Sequence, residues 1–402
     1  MNRRVFITGY GIITAIGSNG PENFASLRDE RSGYGRLDFL QTVHRDEIYC
    51  CEIKLSDDAL CRYAGVPTKA GFSRTTLLGL IAAREAIDSA GLTEAETSSA
   101  GLVSATTAGG IRELETYYYE LQDPESNGEF LAFLDTGDPG EHTERMADVL
   151  NMKRYLATVS TACASAANSI IFGARLIANG LADIMICGGS EALSKVTING
   201  FNSLKILDRD LCKPFDHNRN GLNLGEGAAF LVLEAEERPG HPGKKAIAEL
   251  CGYASLNDAF HQTASSPEGT GTLQAMQKAL AMGGIAPEDV DYINAHGTGT
   301  ENNDLSEGLS VQALFGDQVP PFSSTKPYTG HTTSAAGSVE AAFCLMGFEH
   351  DAIFPNLNFS RPMEELGIRP VTKLRPDAGL RYILSNSLGF GGSTTSLLFA
   401  KC

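Results

Sequence analysis

The chain has 402 residues, 42% of them hydrophobic, enough to bury one large core or two fused ones, and nothing in that composition points to disorder or a coiled coil. Its formal charge of −17 and pI near 4.9 repel nucleic acid and anionic membranes, so an acidic partner would need a local basic patch. Nine scattered cysteines, with no C-x-x-C spacing, argue against a disulfide framework and for a reducing, cytoplasmic compartment.

The N-terminal "MNRRVFITGYGIITAIG" places two arginines before an apolar run, as a secretory signal would. The run is β-branched and interrupted by Gly and Tyr, which predicts a first strand at Val5 to Thr8 instead. No later run reaches the roughly 18 apolar residues of a membrane span. At residues 77–92, "LLGLIAAREAIDSAGL" predicts an amphipathic helix with a Gly stop, and "AGLVSATTAGG" at 100–110 a buried strand ending in small residues. The stretch 155–171, "YLATVSTACASAANSII", runs a β-branched strand into Cys163 and then into a small-residue helix, and "LADIMICGG" closes that unit with another strand.

The same order then returns. "LQAMQKALAMGGI" and "DVDYINAHGTGT" repeat the first helix and strand, while "GHTTSAAGSVEAAFCLMGFEHDAIFP" and "YILSNSLGFGG" repeat the second pair. The chain therefore divides into two copies of one α/β unit, residues 1–240 and 241–402, with the seam in "EAEERPGHPGKK" at 234–245. Strands alternating with helices predict parallel sheets covered on both faces, with reactive residues where strands end and helices begin.

Cys163, His296 and His331 all fall at such ends. A cysteine at a helix start has free N–H groups and the positive end of the dipole beside it, worth about 1 kcal/mol toward thiolate. That leaves a thiol at neutral pH, so a neighbouring histidine has to complete its activation. His296 sits in a Gly/Thr loop, and His331 at a second helix start, between Lys326 and Glu340. The same residues admit other readings: a buried structural cysteine, loop histidines held by hydrogen bonds, or a Cys-His-His zinc set. The close-spaced ligand pairs usual for zinc are missing, so no metal is expected. "LGFGG" lacks the Lys-Ser/Thr of a phosphate loop and reads as a tight turn bringing N–H groups toward a site.

"TACASA", "NAHGTGTENND", "STKPYTGHT", "AAGSVEA" and "NSLGFGG" together closely resemble the elongating β-ketoacyl-acyl-carrier-protein synthases, in the right order across almost the whole chain. The resemblance implies a thiolase-like fold, five layers αβαβα from two duplicated halves, assembled as a homodimer or a heterodimer. Initiating synthases of this superfamily pair the cysteine with one His and an Asn, thiolases use a second cysteine, and chain-length-factor partners lack the nucleophile. Cys163, His296 and His331 are all present here, which implies an elongating, decarboxylating acyltransferase.

By that resemblance Cys163 accepts the acyl group, while His296 and His331 bind the malonyl thioester oxygen as the enolate forms. Lys326 and Glu340 order the histidines, the N–H groups of Cys163 and Phe390 form an oxyanion hole, and Phe390 is also a gate. Thr298 and Thr300 hold the phosphopantetheine arm, which arrives on the acyl-carrier protein, so no cofactor of the chain's own is implied. Ala108 aligns with a position lining the acyl pocket, and Lys205 with a carrier-docking residue. In "SLKILDRDLCKPF", Arg209 and Lys213 extend that basic cluster, within an otherwise solvated loop holding Asp208 and Asp210. Departures from the family pattern lie at Leu388, Ser393, Thr394, Thr333 and Ser334. They are compatible with a specialised polyene or polyketide pathway as well as with fatty-acid synthesis. The alternative function is a subunit of a heterodimeric ketosynthase and chain-length-factor complex.

Overall fold

The computed structural model describes residues 3–68, 70–236 and 245–402, and within them two copies of one motif share a continuous ten-stranded sheet. The predicted seam falls largely at 237–244, outside the described residues. Its flanking residues end one strand and precede the next.

In the first copy, β1 (Val5–Thr14) is followed by α1 (Gly20–Arg28), α2 (Asp57–Ala64), α3 (Arg74–Ala90) and α4 (Glu94–Ser99). Then come β2 (Gly101–Ala105), α5 (Ile111–Thr116), a 3-10 turn at Glu129–Gly137, α6 (Pro139–Val149) and β3 (Arg154–Val159). α7 (Ser165–Ala178), β4 (Ile184–Glu191), α8 (Lys195–Ser203) and β5 (Gly227–Ala235) complete it. The second copy opens with β6 (Ala248–Asn257), α9 (Thr270–Gly283), β7 (Tyr292–Asn294), α10 (Glu301–Phe315) and β8 (Phe322–Ser323). It continues through α11 (Lys326–Thr329), α12 (Ala336–His350), the short β9 (Ala352–Ile353) and β10 (Arg375–Pro376), β11 (Tyr382–Gly389) and β12 (Ser393–Lys401).

The strand order β3-β2-β4-β5-β1-β6-β12-β11-β7-β8 reads as one five-strand pattern followed by its reverse. β1 and β6 meet at the centre through Phe6 with Glu249 and Ile7 with Ala248. α7 and α12 pack on each other between the two halves of the sheet, α3 covers β1, β4 and β5 outside, and α9 covers β6 and β12. This is the αβαβα layering. Its central core joins Ile170 and Ile171 of α7 and Leu345 and Phe348 of α12 to Leu231 and Leu233 of one half-sheet and Leu397 and Phe399 of the other. No helix among the described residues is long and apolar enough to cross a membrane.

Two expectations change. The half-sheets are mixed rather than parallel: β2 pairs parallel with β3 and β4, but β5 runs antiparallel to both β4 and β1. The register explains it, because Glu191 faces Gly227, so the chain leaves β4 and re-enters as β5 at the same end of the sheet. In the second copy, a turn at 390–392 joins β11 to β12, and a short turn can link only antiparallel neighbours. The first strand also runs past Thr8 to Thr14. Gly9 and Gly11 do not end it. They let α3 sit close, since a Cβ would stand 2.4 Å from the Ala90 nitrogen at the first and 2.1 Å from the Ala82 oxygen at the second.

Candidate active site

Cys163 stands between the end of β3 and the start of α7 on a tight backbone turn. Ala162 just before it has φ +51°, a left-handed conformation that a side chain adopts only when its surroundings hold it. The Ser165 hydroxyl supplies that hold, donating to the Ala162 carbonyl at 2.5 Å and accepting from the Thr161 N–H at 2.7 Å. From the other half, β11 ends against this turn. A Cβ on Gly389 would lie 3.1 Å from the Cys163 nitrogen, so any side chain there would press on the Cys163 turn. The approach brings the Phe390 backbone N–H to the side of Cys163, where it favours the thiolate.

Burial nonetheless pushes the thiol up to about 12, against the pull of the Lys326 charge and the Phe390 N–H, while Glu340 and Glu191 add to the rise. The dipole of α7 does not make a resting thiolate. The proton has to leave as the sulfur attacks.

His296 lies two residues beyond β7, fixed through its backbone. Its N–H and that of Gly297 each donate to the buried Glu307 carboxylate of α10 at 2.9 Å. Asp304, three residues earlier on the same helix, accepts from the Gly299 N–H at 3.1 Å and the Phe215 N–H at 2.7 Å. Lys326 is 2% exposed and spends all three donors inward: on the His296 carbonyl at 2.5 Å, on His296 Nδ1 at 3.2 Å and on Glu340 Oε1. An ammonium donating to Nδ1 leaves the imidazole proton on Nε2, as a donor. Burial, then the Lys326 charge and His331, hold His296 well below the usual histidine range, so that donor is neutral.

His331 is also buried and held low by burial and by Lys326. It does not stand at the start of α12 as expected, because a 3-10 turn at Thr333–Ala335 intervenes and α12 begins at Ala336. Its backbone donates to the Asn223 carbonyl at 2.8 Å and accepts from the Gly225 N–H at 3.1 Å. The two imidazoles meet edge to face with centroids 5.3 Å apart. Burial lifts the Glu340 carboxyl to about 7, against the pull of Lys326.

Cys163, His296 and His331 line one cavity of about 350 Å³, together with Thr298, Thr300, Lys205 and Phe390. The Thr298 and Thr300 hydroxyls bond each other at 2.9 Å on its wall. Ala108 does not line it; its N–H lies 3.2 Å from the buried Glu191 carboxylate. Arg209 also lies outside the lining and sits 3.5 Å from Glu47. Among the described residues no three His, Cys, Asp or Glu side chains gather as metal ligands.

Sequence reasoning missed Phe201, Glu307 and Glu191. Phe201 stacks on Phe390 with centroids 5.6 Å apart and shares the cavity wall. Glu307 reads in sequence as a solvent-facing residue of a polar helix; the available signal is its i, i+3 pairing with Asp304 directly after a Gly-rich loop. Glu191 accepts from Thr106, Thr107, Ala108 and the Ser334 hydroxyl, the last at 2.5 Å, so Ser334 ties the His331 segment to the end of β2.

Comparison with known proteins gives the family. The β-ketoacyl synthase N-terminal domain matches residues 2–238 and the β-ketoacyl synthase C-terminal domain residues 247–360. The 3-oxoacyl-[acyl-carrier-protein] synthase 2 of Staphylococcus aureus (strain COL) is 32% identical over 100% of this chain and 99% of its own. Its counterpart in Vibrio cholerae is 30% identical over 99% of each. Among solved structures, the ishigamide ketosynthase/chain length factor superposes with a TM-score of 0.92 at 31% identity over 100% of both chains. A ketosynthase in complex with its chain length factor from Xenorhabdus doucetiae gives 0.84 at 30%, over 100% of this chain and 98% of that one. With both family domains matched in order, the duplicated thiolase-like fold in place and a cysteine facing two neutral histidines across one cavity, the chain belongs to the β-ketoacyl synthase family.

Proposed function

We propose that the protein is an elongating β-ketoacyl-acyl-carrier-protein synthase that joins a Cys163-bound acyl group to a malonyl unit. The carrying observation is the grouping of Cys163, His296 and His331 in one cavity beneath the Phe390 N–H. In the first half-reaction the Cys163 sulfur attacks an acyl-carrier thioester, the new thioester forms, and the carrier leaves as the thiol. Malonyl-carrier protein follows, its pantetheine arm lying along Thr298 and Thr300.

Loss of CO2 breaks a C–C bond and leaves its electron pair on the malonyl fragment as an enolate. His296 Nε2–H and His331 donate to the enolate oxygen, and a neutral imidazole is too weak an acid to protonate the enolate before it attacks. The enolate carbon then attacks the acyl carbonyl. The Cys163 and Phe390 N–H groups bind the tetrahedral oxyanion, each donor of this kind being worth about 2.7–4 kcal/mol. Collapse expels the Cys163 thiolate, which regains a proton, and the product is a β-ketoacyl chain two carbons longer.

In this reading residues 1–240 carry the nucleophile and residues 241–402 the two histidines. Lys326 and Glu340 are positioning residues, Phe390 is oxyanion donor and gate, Lys205 with Arg209 receives the acidic carrier, and Ala108, outside the cavity lining, takes no part in holding the acyl chain. A second reading is a catalytic subunit paired with a chain-length factor, favoured by the two ketosynthase/chain length factor structures at 30% identity or more. The experiment is step separation. His296→Ala and His331→Ala are each expected to abolish CO2 release from malonyl-carrier protein while Cys163 still takes an acyl group, and Cys163→Ala to abolish acylation. Normal CO2 release by both histidine variants would overturn the assignment.

A further inference from the structure

Between α8 and β5 the chain makes a long loop whose outgoing arm carries the basic residues and whose returning arm meets the two histidine segments. Lys205 lines the catalytic cavity, and Arg209 and Lys213 follow it along the outgoing arm. Asn223, on the returning arm, is 2% exposed and takes no part in the cavity lining. Its side-chain oxygen accepts the Cys212 N–H at 2.8 Å, and its side-chain nitrogen donates to the carbonyls of Asp208 and Asp210, each at 3.0 Å. Those two carbonyls flank Arg209. A carboxamide suits all three partners: a hydroxyl has one donor too few, a carboxylate has none, and an ammonium has no acceptor for the N–H.

The backbone of the same residue holds a histidine. Its carbonyl accepts the His331 N–H at 2.8 Å, and the Gly225 N–H donates to the His331 carbonyl at 3.1 Å. The His296 loop is tied to the same place, since the Gly221 N–H donates to the Gly299 carbonyl at 3.0 Å and the Cys212 thiol to the Thr298 carbonyl at 3.1 Å. Asn223 therefore fastens the loop bearing the basic residues to the segment that fixes His331.

We propose that Asn223 is a positioning residue that sets the register between the carrier-docking loop and His331. The inference rests on the condensing function proposed above. A carrier seated on Lys205 and Arg209 delivers its arm at a fixed reach from His331, and a misplacement of about 1 Å at a reacting centre costs up to about a hundredfold in rate. Without the Asn223 side chain the basic residues still attract the carrier, but their loop is released at Asp208, Asp210 and Cys212. The loss falls on kcat, whereas charge reversal at Lys205 and Arg209 falls on KM. A small thioester, which does not dock on the loop, loses less.

CO2 release from malonyl-carrier protein and from malonyl-pantetheine, each followed to saturation in the parent and in Asn223→Ala, tests this. The ratio of kcat for the carrier-bound substrate to kcat for the small one should fall about tenfold, with KM for the carrier-bound substrate changed by less than about threefold. Should that variant fail to fold, hydrogen exchange in the parent protein decides: the Cys212 and His331 amides, both bonded to Asn223, should exchange slowly and within about tenfold of each other. An equal fall in both kcat values, a change confined to KM, an unchanged ratio, or a Cys212 amide that exchanges as freely as an open loop would overturn the proposal. A parent protein that decarboxylates neither substrate would overturn the condensing function, and this inference with it.

Discussion

At the scale of single residues, the buried Lys326 sets the tautomer of His296 and helps to hold both histidines neutral. Removing it alone strands Glu340, which is 2% exposed, and breaking a buried pair from one side destabilises by about 3–5 kcal/mol. Lys326→Met should therefore lower both urea resistance and CO2 release. Lys326→Met with Glu340→Leu should regain most of the stability and none of the decarboxylation; recovery of both would show that Lys326 does not position His296. A second residue tests the electrostatics away from catalysis. His142 accepts from the Ser104 hydroxyl at 2.6 Å and donates from Nδ1 to the Pro139 carbonyl at 3.1 Å, and burial lowers it to about 4. Between about pH 6.5 and 4 the unfolded chain takes up a proton there that the folded chain refuses, so stability is lost as pH falls through that window. The loss is about 3 kcal/mol, and His142→Gln should flatten the stability profile by that amount. Glu113, Glu307 and Glu340, raised to about 7, act in the opposite sense but equally in both proteins, so the difference isolates His142. Cys163, His296 and His331 were legible in the sequence because few other roles explain those residue types at matching element ends. Phe201 was not, since it joins the site by stacking on Phe390 across the fold, and Glu307 was not, since its polar helix neighbours hide that it turns inward to the His296 and Gly297 N–H groups.

At the scale of elements, the helix and strand pairs were legible from their periodicity and glycine stops: α3 and α9 end at Gly91 and Gly284, both in the left-handed conformation. Strand direction was not. It depends on where the segment between β4 and β5 lies, and nothing local in Glu191 or Gly227 says that they become neighbours. The β1 glycines are the element-scale test. Gly11→Val would thrust a side chain into the α3 backbone near Ala82, and overpacking of this kind costs about 1–3 kcal/mol. Denaturation should show at least that loss. A variant as stable as the parent would mean that α3 does not rest on β1 as closely as described.

At the scale of the whole molecule, the proposed function requires a chain of charge −17 to receive an acidic carrier protein, and like charges repel beyond a screening length of about 8 Å at physiological salt. Lys205 is exposed at the rim of the catalytic cavity, and Arg209 lies exposed nearby in the sequence. Lys205→Glu with Arg209→Glu should raise KM for carrier-bound substrates and weaken its salt dependence, while small acyl-thioester mimics react as before. Equal losses for both substrate kinds would place the damage in the cavity instead. The central claim is that this chain itself performs the condensation. It is tested most directly by incubating the purified protein alone with acyl-carrier and malonyl-carrier proteins and reading both enzyme and carrier by intact mass spectrometry. The account predicts an acyl adduct on Cys163 followed by a β-ketoacyl carrier two carbons longer, with neither species formed by Cys163→Ala; a folded protein that yields no β-ketoacyl carrier from any acyl primer would contradict it.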